Sequence, residues 1–298
     1  MEKKDVCVIR AKLRNDYVFN AYLAAGYRAV IPYTDFNLFF RLAREFWYRT
    51  KLPHPEWFYN PQLKRITEKT IIVKDPLITP DFMRWLRKVY PNKEIILSYE
   101  NKADRTSINP KDIDDEIAKK SSYDGEDCKR YGMSLDHPSY FINYRILDKD
   151  KKPIRYDVIY LGRDKGRADM LLELQRKMQE MGLRTYFHIC ADRSYMRFKR
   201  SFYKPVIEYA QYLELLKETR AHLNIVINDQ ASVTQRDMES VFDNVKCITN
   251  NKDIRNFELY HPSRFFILGE DDFSCLKEFL DEPFLRVPED VLEKYSFR

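Results

Sequence analysis

Glycine is scarce in this chain, with 7 in 298 residues. Phosphate loops of the GxGxxG or Walker type need several glycines in a short span. Neither is expected here, and neither are long flexible linkers. Cysteine is sparse as well. Cys7, Cys128, Cys190, Cys247 and Cys275 include no CxxC pair and no Cys/His spacing suited to zinc, so no metal site is expected. With no leader pattern at the start, the expectation is a reduced, cytoplasmic setting. No apolar run approaches the ~18 residues that span a bilayer, so any membrane attachment would be peripheral. There is no continuous basic stripe and no nucleic-acid motif, which removes nucleic acid from the expected partners.

The chain holds ample material for cores, at 44% hydrophobic and 33% charged. Its length is most simply two domains. The 21 Tyr and 19 Phe exceed what turns and rims require. Many belong to cores, and the surplus suits sugar stacking and interfaces. The net charge of +6 favours anionic partners such as nucleotides or phosphates, or else reflects a solvated mixed-charge surface.

Patterning divides the chain into two alternating halves, 1–140 and 141–298. In the first, strands are expected at Asp5–Ile9, Ala29–Tyr33, Thr70–Val73 and Glu94–Ser98. Helices are expected at Asn15–Gly26, Phe36–Arg49 and Pro80–Tyr90. Residues 102–121 read as a polar loop or short helix, and Asp136–Lys152 as a linker. The second half repeats the alternation. Strands are expected at Asp157–Leu161, Thr185–Ile189 and Arg264–Leu268. Helices are expected at Ala168–Met181, Val206–Thr219 and Phe273–Leu280, with a last one at Glu289–Tyr295 folding back across the domains. Such βα alternation makes two parallel, Rossmann-like α/β domains facing across a cleft.

The stretch Asn224–Asn251, NIVINDQASVTQRDMESVFDNVKCITNN, reads as strand (Asn224–Ile227), polar loop (Asn228–Val233), helix (Thr234–Asp243) and strand (Val245–Thr249). Asp229, Gln230, Ser232, Thr234, Gln235, Arg236 and Glu239 gather where the first strand ends and the helix starts. In a doubly wound sheet ligands bind there, and a helix N-terminus suits an anion. Capping by Thr234 or Ser232, partnered by Asp237 or Gln235, explains part of this set but not its excess of polar groups. A second constellation, Gly162–Arg167 (GRDKGR), follows the strand DVIYL. Arg163, Lys165 and Arg167 would repel one another unless an anion sits among them; the alternative is a solvated turn. In Ser122–Gly132, SYDGEDCKRYG, the acids Asp124, Glu126 and Asp127 read better as a turn and helix cap than as metal ligands. Together the first two constellations describe a pocket for a nucleoside diphosphate or nucleotide sugar.

The motifs DVIYLGRDKGR, Gln230…Thr234-x-Arg236-x-x-Glu239, the strand end Thr249-Asn250-Asn251, and SRFFILG resemble bacterial GT-B glycosyltransferases of capsule, exopolysaccharide and lipopolysaccharide clusters. The resemblance covers residues 122–298. It implies that Arg163 and Lys165 neutralise the departing diphosphate, that Ser232 and Thr234 bond phosphate or sugar oxygens, and that Glu239 takes the ribose. Gln230 and Arg236 complete the implied donor-binding set. It further implies a nucleotide-sugar donor, a saccharide or lipid-linked acceptor at the inner membrane leaflet, and neither metal nor cofactor. The catalytic base would come from the N-terminal domain. Asp35 and Asp16 lead, ahead of Asp75 and Glu100, although Asp35 also fits the N-cap of its helix. Arg41, Arg44, Trp47, Arg49, Lys51 and Trp57 would approach the membrane, unless that helix is plain core with a solvated rim. Two other readings stand beside this one: a nucleotide-sugar epimerase of the same architecture, and a non-catalytic basic scaffold.

Overall fold

Every strand pair in the two sheets of the computed structural model is parallel. The structure describes residues 2–11, 17–34, 38–136, 140, 145–226 and 232–296. Two compact units divide the chain, Met1–Pro138 and Ser139–Phe297.

The first unit contains β1 (Val6–Ile9), α1 (Tyr17–Ala24), β2 (Arg28–Val30), α2 (Leu38–Arg49), β3 (Thr70–Lys74), α3 (Pro80–Val89), β4 (Glu94–Tyr99), β5 (Lys119–Ser122), α4 (Gly125–Tyr131) and β6 (Ser134–Leu135). Its sheet order is β2-β1-β3-β4-β5-β6. β1 and β3 are buried at every position, as strands covered on both faces must be. Their Val/Ile-rich sequences meet that demand. α3 starts at Thr79, whose hydroxyl accepts the Phe82 N–H, with Pro80 in the first turn where no N–H is needed.

The second unit contains β7 (Tyr156–Arg163), α5 (Ala168–Glu180), β8 (Thr185–Cys190), α6 (Tyr209–Leu216), β9 (Thr219–Asn224), α7 (Gln235–Asp243), β10 (Lys246–Thr249), β11 (Phe265–Ile267), α8 (Leu276–Asp281) and α9 (Glu289–Tyr295). The order is β8-β7-β9-β10-β11. The chain leaves β7 towards β8, then crosses back to lay β9 on β7's other side. That reversal opens a crevice beyond the ends of β7 and β9, where doubly wound sheets bind ligands.

Several elements differ from the sequence expectation. The strand expected at Asn224–Ile227 lies at Thr219–Asn224. β9 buries Thr219, His222 and Asn224 beside Ala221 and Leu223, so its polar residues hide it, while the apolar Ile225 and Val226 continue as buried loop. α6 accordingly stops at Leu216. β5, sequence KKSS, falls largely where a loop or short helix is expected. It pairs with β4 from Ile96↔Lys119 to Tyr99↔Ser122, and its backbone bonding rather than its side chains makes it a strand. α9 packs Leu292 and Tyr295 into the second unit's own core with Phe257 and Val287. Finally, α2 buries no residue at all. Leu38, Phe39, Leu42 and Phe46 stand 60–75% exposed, which overturns its reading as core. Its inward side is held by Trp47 and Phe40 against Phe58.

Candidate active site

A cavity of ≈ 250 Å³ lies at the β7/β9 crevice. β7 and the loop after it contribute Gly162, Arg163, Lys165 and Arg167. The end of β9 contributes Asn224 and Ile225, and α7 contributes Arg236. Two constellations far apart in sequence therefore meet on one wall.

The three cations of GRDKGR are not equivalent. Arg167 is a strut: its guanidinium donates to the carbonyls of Asp164 (3.2 Å), Arg163 (3.1 Å) and Ile225, and to the Tyr160 hydroxyl (3.2 Å). It ties the end of β7 to the end of β9, which answers the expected repulsion without any anion. Arg163 donates to the Ala191 carbonyl at 3.3 Å and to that of Asp192, beyond β8. Lys165 sits at φ 48°, in the left-handed region, next to Gly166 at φ 77°. Its backbone N–H donates to Asp192 Oδ1 at 2.9 Å. Asp164 accepts from the Ala168 N–H (2.7 Å) and the Tyr203 hydroxyl. Burial pushes its carboxyl up, but these bonds prevail and hold it below the usual range. Gly162 leaves no room for a side chain, since a Cβ would lie 2.6 Å from the Tyr160 hydroxyl oxygen.

At the α7 N-terminus Thr234 is the N-cap. Its N–H and hydroxyl donate to Asp237 Oδ2 at 2.7 and 2.9 Å. Asn224, at the end of β9, donates to both Thr234 Oγ1 (3.0 Å) and Asp237 Oδ1 (2.9 Å). Capping thus accounts for Thr234 and Asp237. The asparagines after β10 fix the loop's described ends. Asn250 exchanges two bonds with the Val226 backbone (2.8 and 3.1 Å), and Asn251 reaches the Ser232 carbonyl at 3.4 Å. Ser232 does not line the cavity. Gln230 lies outside the described residues.

α7 buries all seven residues from Asp237 to Asp243, three of them carboxylates. Glu239 does not line the cavity. Its side chain is 1% exposed, and it accepts from Tyr209 (2.6 Å), Tyr212 (2.8 Å) and Arg236 (2.9 Å). The Arg236 guanidinium carbon lies 3.7 Å over the Tyr212 ring, and Nη2 donates to the Leu161 carbonyl at 3.3 Å. Behind Tyr212, His222 Nδ1 approaches the same hydroxyl at 3.1 Å. Burial, then the charge of Arg236, pushes His222 down to about 3, so the imidazole is neutral. Asp243 accepts from Tyr140 (2.7 Å) and the Ile146 N–H (2.8 Å), and burial nonetheless raises it to about 7. Tyr209 and Tyr212 were legible only as an apolar helix stripe; their spacing carries no sign of the carboxylate between them.

Asp16 and Asp35 lie outside the described residues. Of the other base candidates, Asp75 is buried and accepts from the Glu100 N–H and from Asn101, and burial raises it to about 6. Glu100 pairs with Arg10 at 3.1 Å. Asp124 caps α4 through the Glu126 and Asp127 N–H groups. His188 bonds Tyr186 and the Pro205 carbonyl and is structural. Among the described residues, no helix is long and apolar enough to cross a membrane.

No family model and no curated protein sequence matches the chain. Among solved structures it is similar to that of AviGT4, a glycosyltransferase involved in avilamycin A biosynthesis. The TM-score is 0.57 at 11% identity, over 93% of this chain and 87% of that one. The likeness is one of fold: two Rossmann-like parallel α/β domains of the GT-B-like kind.

Proposed function

We propose that this chain is a glycosyltransferase that moves a sugar from a nucleoside-diphosphate sugar to a saccharide acceptor. The observation that carries the reading is the cation-lined cavity at the β7/β9 crevice. Arg163, Lys165 and Arg236 come to it from two separate segments, on the edge where such sheets bind ligands. The GT-B-like fold supports the same reading.

In this reading the C-terminal domain holds the donor. The acceptor hydroxyl attacks the anomeric carbon as the bond from that carbon to the diphosphate oxygen breaks. A carboxylate of the N-terminal domain, Asp16 or Asp35, takes the hydroxyl proton. Negative charge grows on the diphosphate, and Arg163 and Lys165 meet it with no reorganisation. Ser232, before the start of α7, receives phosphate or sugar oxygens, as does Gln230, while Thr234 holds the helix start through Asp237 and Asn224. The exposed apolar side of α2, flanked by Arg41, Arg49 and Lys51, supports a lipid-linked acceptor met at an anionic membrane face. Cell-envelope polysaccharide or lipopolysaccharide synthesis is the setting this combination fits.

A thermal-shift screen against UDP, GDP, ADP, CDP and dTDP tests the reading. At least one should stabilise the protein, and none doing so would leave the cavity without a donor. For Arg163→Ala, turnover should fall further than donor affinity, because charge grows on the leaving group in the transition state. Equal losses would assign Arg163 to ground-state binding alone.

A further inference from the structure

Glu239 is fully buried beside the cavity, and three protein side chains donate to its carboxylate. Tyr209 and Tyr212 donate to one oxygen each, and Arg236 shares the second. Of this group only Arg236 reaches the cavity wall. Tyr212 serves Arg236 twice. Its ring lies 3.7 Å beneath the guanidinium, and its hydroxyl fixes the oxygen that Arg236 binds. The arginine is thus held by a carboxylate, an aromatic face and the Leu161 carbonyl. Two of its five N–H donors are occupied by these side-chain bonds, which leaves others for an anion.

From these contacts we infer that Tyr209, Tyr212 and Glu239 are positioning residues that hold Arg236 as the anion-contacting cation on the α7 side of the cavity, and that Glu239 does not bind the ribose. The inference rests on the reading of the cavity as a diphosphate site. The physical gain is pre-organisation. A free arginine loses substantial rotamer freedom when it binds an anion, and one already fixed at three points loses little. Among the described residues, Arg163 is tied to two carbonyls, whereas the cation on the α7 side has a carboxylate behind it.

Calorimetric titration of the full chain with inorganic pyrophosphate and with the nucleoside diphosphate that binds it best separates the two roles. Tyr209→Phe and Tyr212→Phe keep every charge. Each should weaken both ligands by the same factor, roughly fivefold for one lost hydrogen bond. In an Arg236→Met background that loss should shrink below about twofold, given that coupled residues are non-additive. A general loosening of the domain would persist there. Glu239→Gln should shift both affinities by one common factor. The inference is overturned if Glu239→Gln weakens the nucleoside diphosphate and leaves pyrophosphate unchanged, which is the ribose role. It is also overturned if both tyrosine variants bind as the parent does. A parent protein that binds neither ligand removes the cavity reading itself, and this inference with it.

Discussion

In α7 the carboxylates Asp237, Glu239 and Asp243 are all buried; in α2 the apolar side chains Leu38, Phe39, Leu42 and Phe46 all stand mostly exposed. Each helix reverses the ordinary distribution of residue types. The reversals are handled differently. Every buried carboxylate of α7 has partners: Asn224 and Thr234 for Asp237, two tyrosines and Arg236 for Glu239, and Tyr140 with the Ile146 N–H for Asp243. Burying charge is tolerable only on those terms. The outward face of α2 has no comparable enclosure. A helix that stabilised its domain alone would carry neither pattern, so both point to roles beyond folding.

The largest effect should come from breaking the α7 network. Arg236→Ala leaves Glu239 buried without its counter-charge and should destabilise the protein by ~3–5 kcal/mol in urea unfolding. Replacing the pair, with Arg236→Met and Glu239→Leu together, should recover most of that stability while pyrophosphate binding stays weaker than in the parent. Recovery of both would show that the charges serve folding only.

The pH dependence sharpens the same contrast. Asp243 is raised from 3.8 to about 7 by burial, so the folded protein retains a proton that the unfolded chain releases. Its contribution to stability is therefore full below pH 3.8 and is lost as pH rises through about 7. Asp243→Asn should remove that fall. Unfolding measured from pH 4 to 8 should show the variant gaining on the parent across the window and holding level above it. A constant difference would mean that Asp243 does not titrate there.

For α2 the expected effect on folding is small and the effect on membranes is not. Phe39→Ser and Phe46→Ser should each change unfolding stability by under about 0.5 kcal/mol. A core phenylalanine cut back this far would cost ~3–5 kcal/mol. Each should weaken co-sedimentation with anionic vesicles by ~1.5–3 kcal/mol, the value of burying one such side chain. Unaltered co-sedimentation would detach α2 from the membrane. The smallest change, Gly162→Ala, should displace the Tyr160 hydroxyl and with it one support of Arg167, at ~1–3 kcal/mol. A loss below that range would mean Tyr160 moves aside freely.

The parts of the fold legible in the sequence are those where side chains alone decide. β3 reads TIIVK and is buried at every position. β9 starts five residues before the expected strand because His222 and Asn224 are buried for their partners, not for apolarity. β5 was missed because KKSS is a strand through its backbone pairing with β4. Of the cavity's lining, Arg163 and Lys165 stand out in the sequence as cations at a strand end, and Arg236 as a cation at a helix start. Arg167 was read as one of them because nothing in GRDKGR tells that its donors turn inward to the Ile225 carbonyl. Glu239 was placed on the ligand because sequence gives a helix shoulder but not the tyrosines of α6 that enclose it.

Lys165 carries a consequence for selection. At φ 48° a lysine is held roughly 1–2 kcal/mol above its preferred backbone region, a cost that glycine would escape. Variants selected for heat resistance alone should therefore drift to glycine at this position. Variants selected for turnover should keep the lysine and tolerate the lower melting point. A library split between the two regimes would record, at a single codon, how much stability this protein surrenders to hold a positive charge at the mouth of its cavity.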